Sequence, residues 1–174
     1  FALPALMMAH NGEEGDKVYK VDVKKSSVSW KGYKVTGEHE GIINIASGTM
    51  ELKDGQISGG NFEIDMTSIA VTDLSGEYQG KLEGHLKSDD FFGVATHPTA
   101  NLVITSATPK GSTYLMTADL TIKNITHAIE FETTLEDNDG AMTATSNLKI
   151  DRSLFDVRYG SPSFFNDLGD KAIY

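Results

Sequence analysis

Residues 114–135 read YLMTADLTIKNITHAIEFETTL. Mostly apolar residues occupy every second position on either side of a short reversal near Asn124. A period of two is the pattern of half-buried β-strands, since successive side chains point to opposite faces of a sheet. The aligned positions are Tyr114, Met116, Ala118, Leu120 and Ile122 in the first half and His127, Ile129, Phe131, Thr133 and Leu135 in the second. This stretch predicts an antiparallel hairpin with one apolar face.

The same alternation recurs through most of the chain, with turn residues near every ten positions or so. Turns are expected at Ser47-Gly48, Asp54-Gly55 and residues 137–140, a bulge at Gly59-Gly60, and a strand boundary at His97-Pro98. The pattern predicts an all-β protein: an antiparallel β-barrel of about eight strands, whose closure removes exposed edges. Periodicity alone also fits a two-sheet sandwich.

The spacing changes between Tyr78 and Phe92. Tyr78, Leu82 and Leu86 recur every fourth residue, with His85 on the same side, which predicts one short helix. Glycines within it weaken the helix by about 1 kcal/mol each, so it needs packing to persist. We expect it to lie across the sheet or close one end of the barrel.

The composition bounds the functional classes. The chain has 174 residues, a formal net charge of −10 and no cysteine. That charge argues against a nucleic-acid partner, because phosphates would be repelled. Residues 1–16 read as an apolar and then polar extension, for which a leader remnant is one interpretation, and residues 17–174 as one barrel domain. The apolar run 1–10 is too short to span a bilayer, and we expect it to dock in an apolar groove.

Four separated segments resemble the YceI-like family of lipocalin-like, polyisoprenoid-binding proteins. They are GEHEG (37–41), HLKSDDFF (85–92), ADLTIKNITH (118–127) and IDRSLFDV (150–157). The resemblance runs from about Val18 to the end of the chain, and the four segments occur in the family's order. It implies that residues 17–174 form one YceI-like barrel domain.

The resemblance implies a lipocalin-like barrel whose pore holds a long amphiphile such as a polyisoprenoid or isoprenoid quinone. It also implies a periplasmic or secreted, non-catalytic carrier with no cofactor other than the bound lipid. Asn124 and His127 depart from the residues usual in the family. Members normally continue into a closing strand beyond Lys171–Tyr174, and without it an open edge would favour pairing into a homodimer.

Apolar positions in phase, with a few polar residues, form the predicted ligand-binding set. It comprises Trp30, His39, Ile43, Phe62, Ile64, His85, Leu86, Phe91, Phe92, Leu102, Ile104, Met116, Leu120, Phe131, Met142 and Arg152. His39 and His85 suit hydrogen bonding to a ligand head group. Phe91 and Phe92 either gate the pore or anchor the helix. Arg152 either grips an acidic head group or, with Asp151, forms a structural ion pair or caps a turn.

Other functions stay open at this stage. A fatty acid or fatty amide would suit the same pore. An eight-stranded barrel can also be filled by its own side chains, which would make this a ligand-free, stress-linked structural protein. A metal-assisted hydrolase would need His39, His85 and His127 to converge with Asp89 or Asp90, but no clustered ligand spacing is present and no metal site is predicted.

Overall fold

Antiparallel strands form one curled sheet in the computed structural model, which describes residues 2–10, 15–34 and 37–159. The strands are Ala2–His10 (β1), Asp16–Val21 (β2), Val28–Lys34 (β3), Gly37–Lys53 (β4), Gln56–Val71 (β5), Thr99–Lys110 (β6), Thr113–Ile122 (β7), Ile125–Asn138 (β8) and Ala141–Asn147 (β9). One α-helix, Gly76–Lys87 (α1), joins β5 to β6, and a short 3-10 helix spans Arg152–Phe155.

The sheet closes on itself, which confirms the predicted barrel. Neighbouring strands pair in sequence from β3 to β9, and β1 then pairs with both β9 and β2. Strands β2 and β3 follow each other along the same edge of β4 and so share one position. The nine strands of the described residues therefore make eight positions around the barrel.

Strand β1 takes the place where an open edge was expected. The sequence predicts an extension for residues 1–16, yet the backbone of Ala2–His10 lies in the sheet. Its register joins Ala5 to Ala144 of β9 and Met7 to Val21 of β2. The expected homodimer depended on a free edge, and β1 covers that edge. Lys171–Tyr174, beyond which the family's closing strand is expected, lie outside the described residues.

The two ends of the barrel differ. The end that carries α1 and the 3-10 helix is called the helix end, and the opposite end, with the turns at Asp54-Gly55 and Asp139-Gly140, is called the turn end. One buried cluster, including Trp30 and Leu86, lies at the helix end, and another, including Met50, continues to the turn end. Helix α1 packs Leu82 and Leu86 against the first cluster, so it covers part of this barrel end.

Two local expectations were wrong. Ser47-Gly48 is not a turn, because β4 continues through it with a register shift just before Ser47. A Cβ at Gly48 would come within 2.7 Å of Phe62, so glycine serves close packing at this position. Tyr78 lies one turn before Leu82 but is 74% exposed, because the helix extends past the barrel there. The predicted irregularity near Gly59-Gly60 is confirmed by the shift between Glu51 and Leu52.

Gly41→Ala should destabilise the protein strongly. A Cβ at this position would lie 1.9 Å from the carbonyl oxygen of Ala70 and 2.6 Å from the ring of Trp30. Since backbone must move to relieve the overlap, we expect a loss of about 3 kcal/mol or more in the free energy of unfolding. Gly80→Ala is the matched control, because a Cβ on that helical glycine meets nothing within 4 Å.

The control should gain about 0.5–1 kcal/mol through helix propensity. Urea unfolding of both variants measures the two changes. Equal stabilities for Gly41→Ala and the wild type would contradict the close packing of β3, β4 and β5 at this point.

Candidate functional site

A cavity of 530 Å³ runs inside the barrel. This volume falls in the range of small-molecule sites, about 300–1,000 Å³. Fifteen of the predicted ligand-binding residues line the cavity: Trp30, His39, Ile43, Phe62, Ile64, His85, Leu86, Phe91, Phe92, Leu102, Ile104, Met116, Leu120, Phe131 and Arg152. Met142 does not line it, because its side chain packs beyond the cavity at the turn end. Contact between a ligand and the predicted residues stays a prediction.

The cavity also has lining residues that the predicted set left out. They are Val28, Lys31, Gly32, Tyr33, Met50, Met66, Ile69, Leu82, Ala100, Ile122, Thr133, Ala144, Ser146, Leu148, Ile150 and Tyr159. The apolar members follow the same period-two phase as their predicted neighbours and could have been listed from it. Lys31, Tyr33 and Tyr159 carry no such signal, because they reach the cavity only through the geometry of the helix end.

One polar pair interrupts the apolar wall. Thr133 of β8 and Ser146 of β9 are directly opposite each other, and their hydroxyl oxygens lie 2.7 Å apart. Thr133 is 2% exposed, so the hydrogen bond satisfies a buried polar group that would otherwise be costly. Since each hydroxyl has its own hydrogen and one hydrogen is shared between them, the pair retains one donor that can turn towards the cavity.

His39 is held at the helix end by an acidic partner. Its Nδ1 lies 2.8 Å from Oδ2 of Asp73, and Oδ1 of Asp73 accepts from the backbone N–H of Glu40 at 3.2 Å. Partial burial raises the pKa of the Asp73 carboxyl, but the hydrogen bonds from His39 and the backbone outweigh burial and leave the pKa below its usual value. The contact ties β4 to the loop that precedes α1.

His85 faces the cavity from α1 and is surrounded by aromatic rings. The ring centroids of Tyr159 and Phe91 lie 4.3 Å and 5.7 Å from that of His85, both in edge-on arrangements. Phe91 also packs edge-on against Phe92 at 5.0 Å. Among the described residues no hydrogen bond uses a ring nitrogen of His85. This side chain therefore offers the cavity a polar group that no described neighbour occupies.

Arg152 is fixed by backbone carbonyls. Its Nη1 donates to the oxygen of Val157 at 2.7 Å and its Nη2 to that of Tyr159 at 2.8 Å, while the guanidinium lies 4.9 Å from the Phe91 ring centroid. Burial lowers the pKa of Arg152, although the nearby charge of Asp151 opposes this. Asp151 caps the 3-10 helix by accepting from the backbone N–H of Ser153 at 2.9 Å. The predicted cap by Asp151 is confirmed. The predicted ion pair is not formed, because the guanidinium of Arg152 donates to backbone carbonyls instead.

The three histidines of the metal hypothesis go to different partners. His127 lies with Nε2 3.1 Å from the oxygen of Leu154 and its ring against Phe155, whereas His39 contacts Asp73 and His85 contacts aromatic rings. Within the described residues, no group of three histidine, aspartate or glutamate side chains is placed to hold a metal ion.

In the same part of the chain, every helix is too short or too polar to cross a bilayer.

The sequence profile of the YceI-like domain matches residues 19–172. A UPF0312 protein of Shewanella denitrificans is 30% identical over 118 residues, which are 64% of this chain and 58% of that protein. This chain thus spans little more than half of that relative's length.

Solved structures share the fold. BcnA of Burkholderia cenocepacia superposes with a TM-score of 0.52 at 19% identity, over 89% of this chain and 81% of that one. A polyisoprenoid binding domain of Saccharophagus degradans, implicated in plant cell wall breakdown, gives a TM-score of 0.55 at 13% identity, over 95% and 82% of the two chains. At these identities the likeness establishes a common barrel.

Asp73→Asn should remove a part of the acid sensitivity of folding. Because the folded-state pKa of Asp73 is lowered, its contribution to stability is present above the unfolded-state value of about 3.9 and is lost as the pH falls through the folded value. We expect the difference in unfolding free energy between wild type and variant to shrink as the pH falls from about 5 to below about 4.

Urea unfolding between these pH values and pH 3 measures the difference. Asp90→Asn, which changes an exposed carboxylate outside the His39 contact, serves as the control. A wild-type-minus-variant difference that stays flat down to pH 3 would contradict the stabilising role of the His39–Asp73 contact.

Proposed function

Because the chain belongs to the YceI-like family, we propose that it is a non-catalytic carrier for a long-chain amphiphilic lipid held in the barrel. A polyisoprenoid or an isoprenoid quinone is the ligand class that we favour. The polyisoprenoid binding domain of Saccharophagus degradans, which shares the fold, supports this choice. A fatty acid or fatty amide is the alternative ligand of the same site.

The observation that carries the proposal is the cavity of 530 Å³ with its apolar wall. Burying a hydrocarbon chain there would gain about 25 cal/mol for each Å² removed from water. Methionines at positions 50, 66 and 116 add side chains that adapt to irregular ligand shapes. The same cavity argues against a ligand-free structural barrel, since a solidly packed core would leave no such space.

The polar groups at the helix end suit a head group rather than a reaction. His85 offers ring nitrogens beside aromatic side chains, and His39 has one ring nitrogen beyond its contact with Asp73. A few polar groups at the edge of an apolar pocket fix a ligand's orientation. A periplasmic or secreted location completes the proposal, because the resemblance to the YceI-like family implies it.

Native mass spectrometry of the purified protein, followed by organic extraction, tests the function directly. A co-purifying prenyl lipid or quinone would support the favoured class, and a fatty acid or amide would support the alternative. A protein that is empty and also takes up no added prenol or fatty acid would overturn the carrier proposal.

Met116→Trp should block lipid uptake. Met116 is 1% exposed and lines the cavity, so the larger ring fills space that a chain would occupy. Overpacking should cost about 1–3 kcal/mol of stability. Leu115→Trp is the matched control, because residue 115 is the next residue on the same strand and faces outwards, 36% exposed.

Uptake of a fluorescent prenol analogue, measured beside the circular dichroism spectrum, compares the two variants. We expect loss of uptake only in Met116→Trp. Normal uptake by a folded Met116→Trp protein would exclude the barrel interior as the binding site.

His85→Leu should weaken binding of a prenol but not of the matching hydrocarbon. The loss of one hydrogen bond to the head group corresponds to about 1 kcal/mol, or about fivefold in Kd. His97→Leu is the control, because His97 is half-buried but does not line the cavity. Isothermal titration with farnesol and with its hydrocarbon analogue separates the effects. Equal losses for both ligands would mean that His85 only shapes the cavity.

A further inference from the structure

Two hydroxyl groups interrupt an apolar part of the cavity wall. Thr133 of β8 and Ser146 of β9 both line the cavity and are directly opposite each other in the sheet. Their neighbours on the same inward face of these two strands are apolar: Phe131, Ala144 and Leu148 also line the cavity. The pair is thus a polar spot surrounded by hydrocarbon.

This polar spot is separate from the polar groups of the helix end. Thr133 pairs with Tyr114, the second residue of β7. Strand β7 begins at the turn end, since it runs in the same direction as β9 on the other side of β8. Within the described residues, the other lining side chains that contain a nitrogen or oxygen atom belong to the helix end: Trp30, Lys31, Tyr33, His39, His85, Arg152 and Tyr159.

The hydroxyl pair has more hydrogen-bonding capacity than its own contact uses. Oγ1 of Thr133 and Oγ of Ser146 lie 2.7 Å apart, and one hydroxyl hydrogen fills this contact. Thr133 is 2% exposed, and in the part of the chain that the structure describes no other hydrogen bond involves either hydroxyl. The second hydrogen is therefore a donor without a protein acceptor there, and such a donor is costly in an apolar site.

We propose that the Thr133–Ser146 pair binds a second oxygen atom of the ligand, carried by the part of the chain that lies inside the barrel. The ligand class is then an amphiphile with a hydroxyl, carbonyl or epoxide group in its chain as well as a polar head group. This inference rests on the proposed function, since it requires a chain to enter the cavity. A plain hydrocarbon chain leaves the second hydroxyl hydrogen unpaired, whereas a suitably placed oxygen accepts it.

The apolar wall makes the preference depend on where the oxygen stands along the chain. An oxygen that faces Phe131, Ala144 or Leu148 loses its hydration and gains no hydrogen bond, which weakens binding. An oxygen within hydrogen-bond distance of Thr133 or Ser146 recovers that loss and also satisfies the protein's donor. The pair therefore distinguishes positional isomers that have the same composition.

Titration of the wild-type protein with positional isomers tests this preference in both candidate ligand classes. One series is geranylgeraniol with its mono-epoxides, and the other is stearic acid with its monohydroxylated isomers. In the series that binds, we expect one isomer to bind at least about tenfold more tightly than the other oxygenated isomers, because only its oxygen reaches the pair. Isothermal titration measures each Kd.

Removing both hydroxyls should abolish the preference. Thr133→Val combined with Ser146→Ala keeps the wall apolar and nearly unchanged in shape, so the favoured isomer should lose about tenfold in affinity. The unsubstituted chain should bind at least as tightly as to the wild type, since no donor is left unpaired. Thr133→Ser keeps a hydroxyl at this position and should keep the preference.

The matched control is Thr134→Val combined with Thr145→Val. Thr134 and Thr145 form the next pair on the same two strands and are exposed, so they lie outside the cavity. This control should rank the isomers as the wild type does.

Equal Kd values for all oxygenated isomers in the wild type, or a positional preference that persists without the two hydroxyls, would overturn the inference and leave the carrier function standing. Failure of the unsubstituted chains and of every isomer to bind would instead remove the carrier function itself.

Discussion

The closed ring of backbone hydrogen bonds is the constraint on which the rest of this structure depends. A sheet with a free edge would expose unpaired N–H and C=O groups and could not surround an apolar interior. Strand β1 completes the ring through seven paired positions with β9 and four with β2. Backbone hydrogen bonds between neighbouring strands hold the barrel wall together. Because of this, the inward-facing side chains need not contact each other across the barrel axis, and a cavity of 530 Å³ can persist.

Departures from the regular ladder shape that wall. Register shifts in the pairing of β4 with β5 increase local twist and bend the longest strands around the barrel. Gly41 and Gly48 bring backbones and rings closer together than any side chain permits. The two ends of the barrel also differ. Tight turns bring buried side chains together at the turn end, whereas α1 covers the helix end only in part.

Much of this arrangement follows from the sequence, and the rest does not for physical reasons. The alternation around Met116 and Phe131 predicts both the hairpin and the inward face, because side-chain direction is local. The place of Ala2–His10 could not be read in this way, since strand pairing between distant segments leaves no periodic signal. Whether the interior is filled depends on the barrel's width and on side-chain volumes together. Tyr159 reaches the cavity through a tertiary contact with His85 that no spacing encodes.

Hydrogen bonds join helix α1 to β5 at a single residue, Val71. Gln79 donates to the oxygen of Val71 at 2.9 Å, and Glu83 accepts from the N–H of the same residue at 2.9 Å. On the other side the helix lines the cavity through Leu82 and His85, and its sequence contains three glycines. Moving α1 away from this end would break the hydrogen bonds at Val71 and the packing of Leu82 and Leu86, but none of the backbone hydrogen bonds between strands. The contacts that cover this end are thus separate from those that close the barrel, so one set can change in evolution without the other.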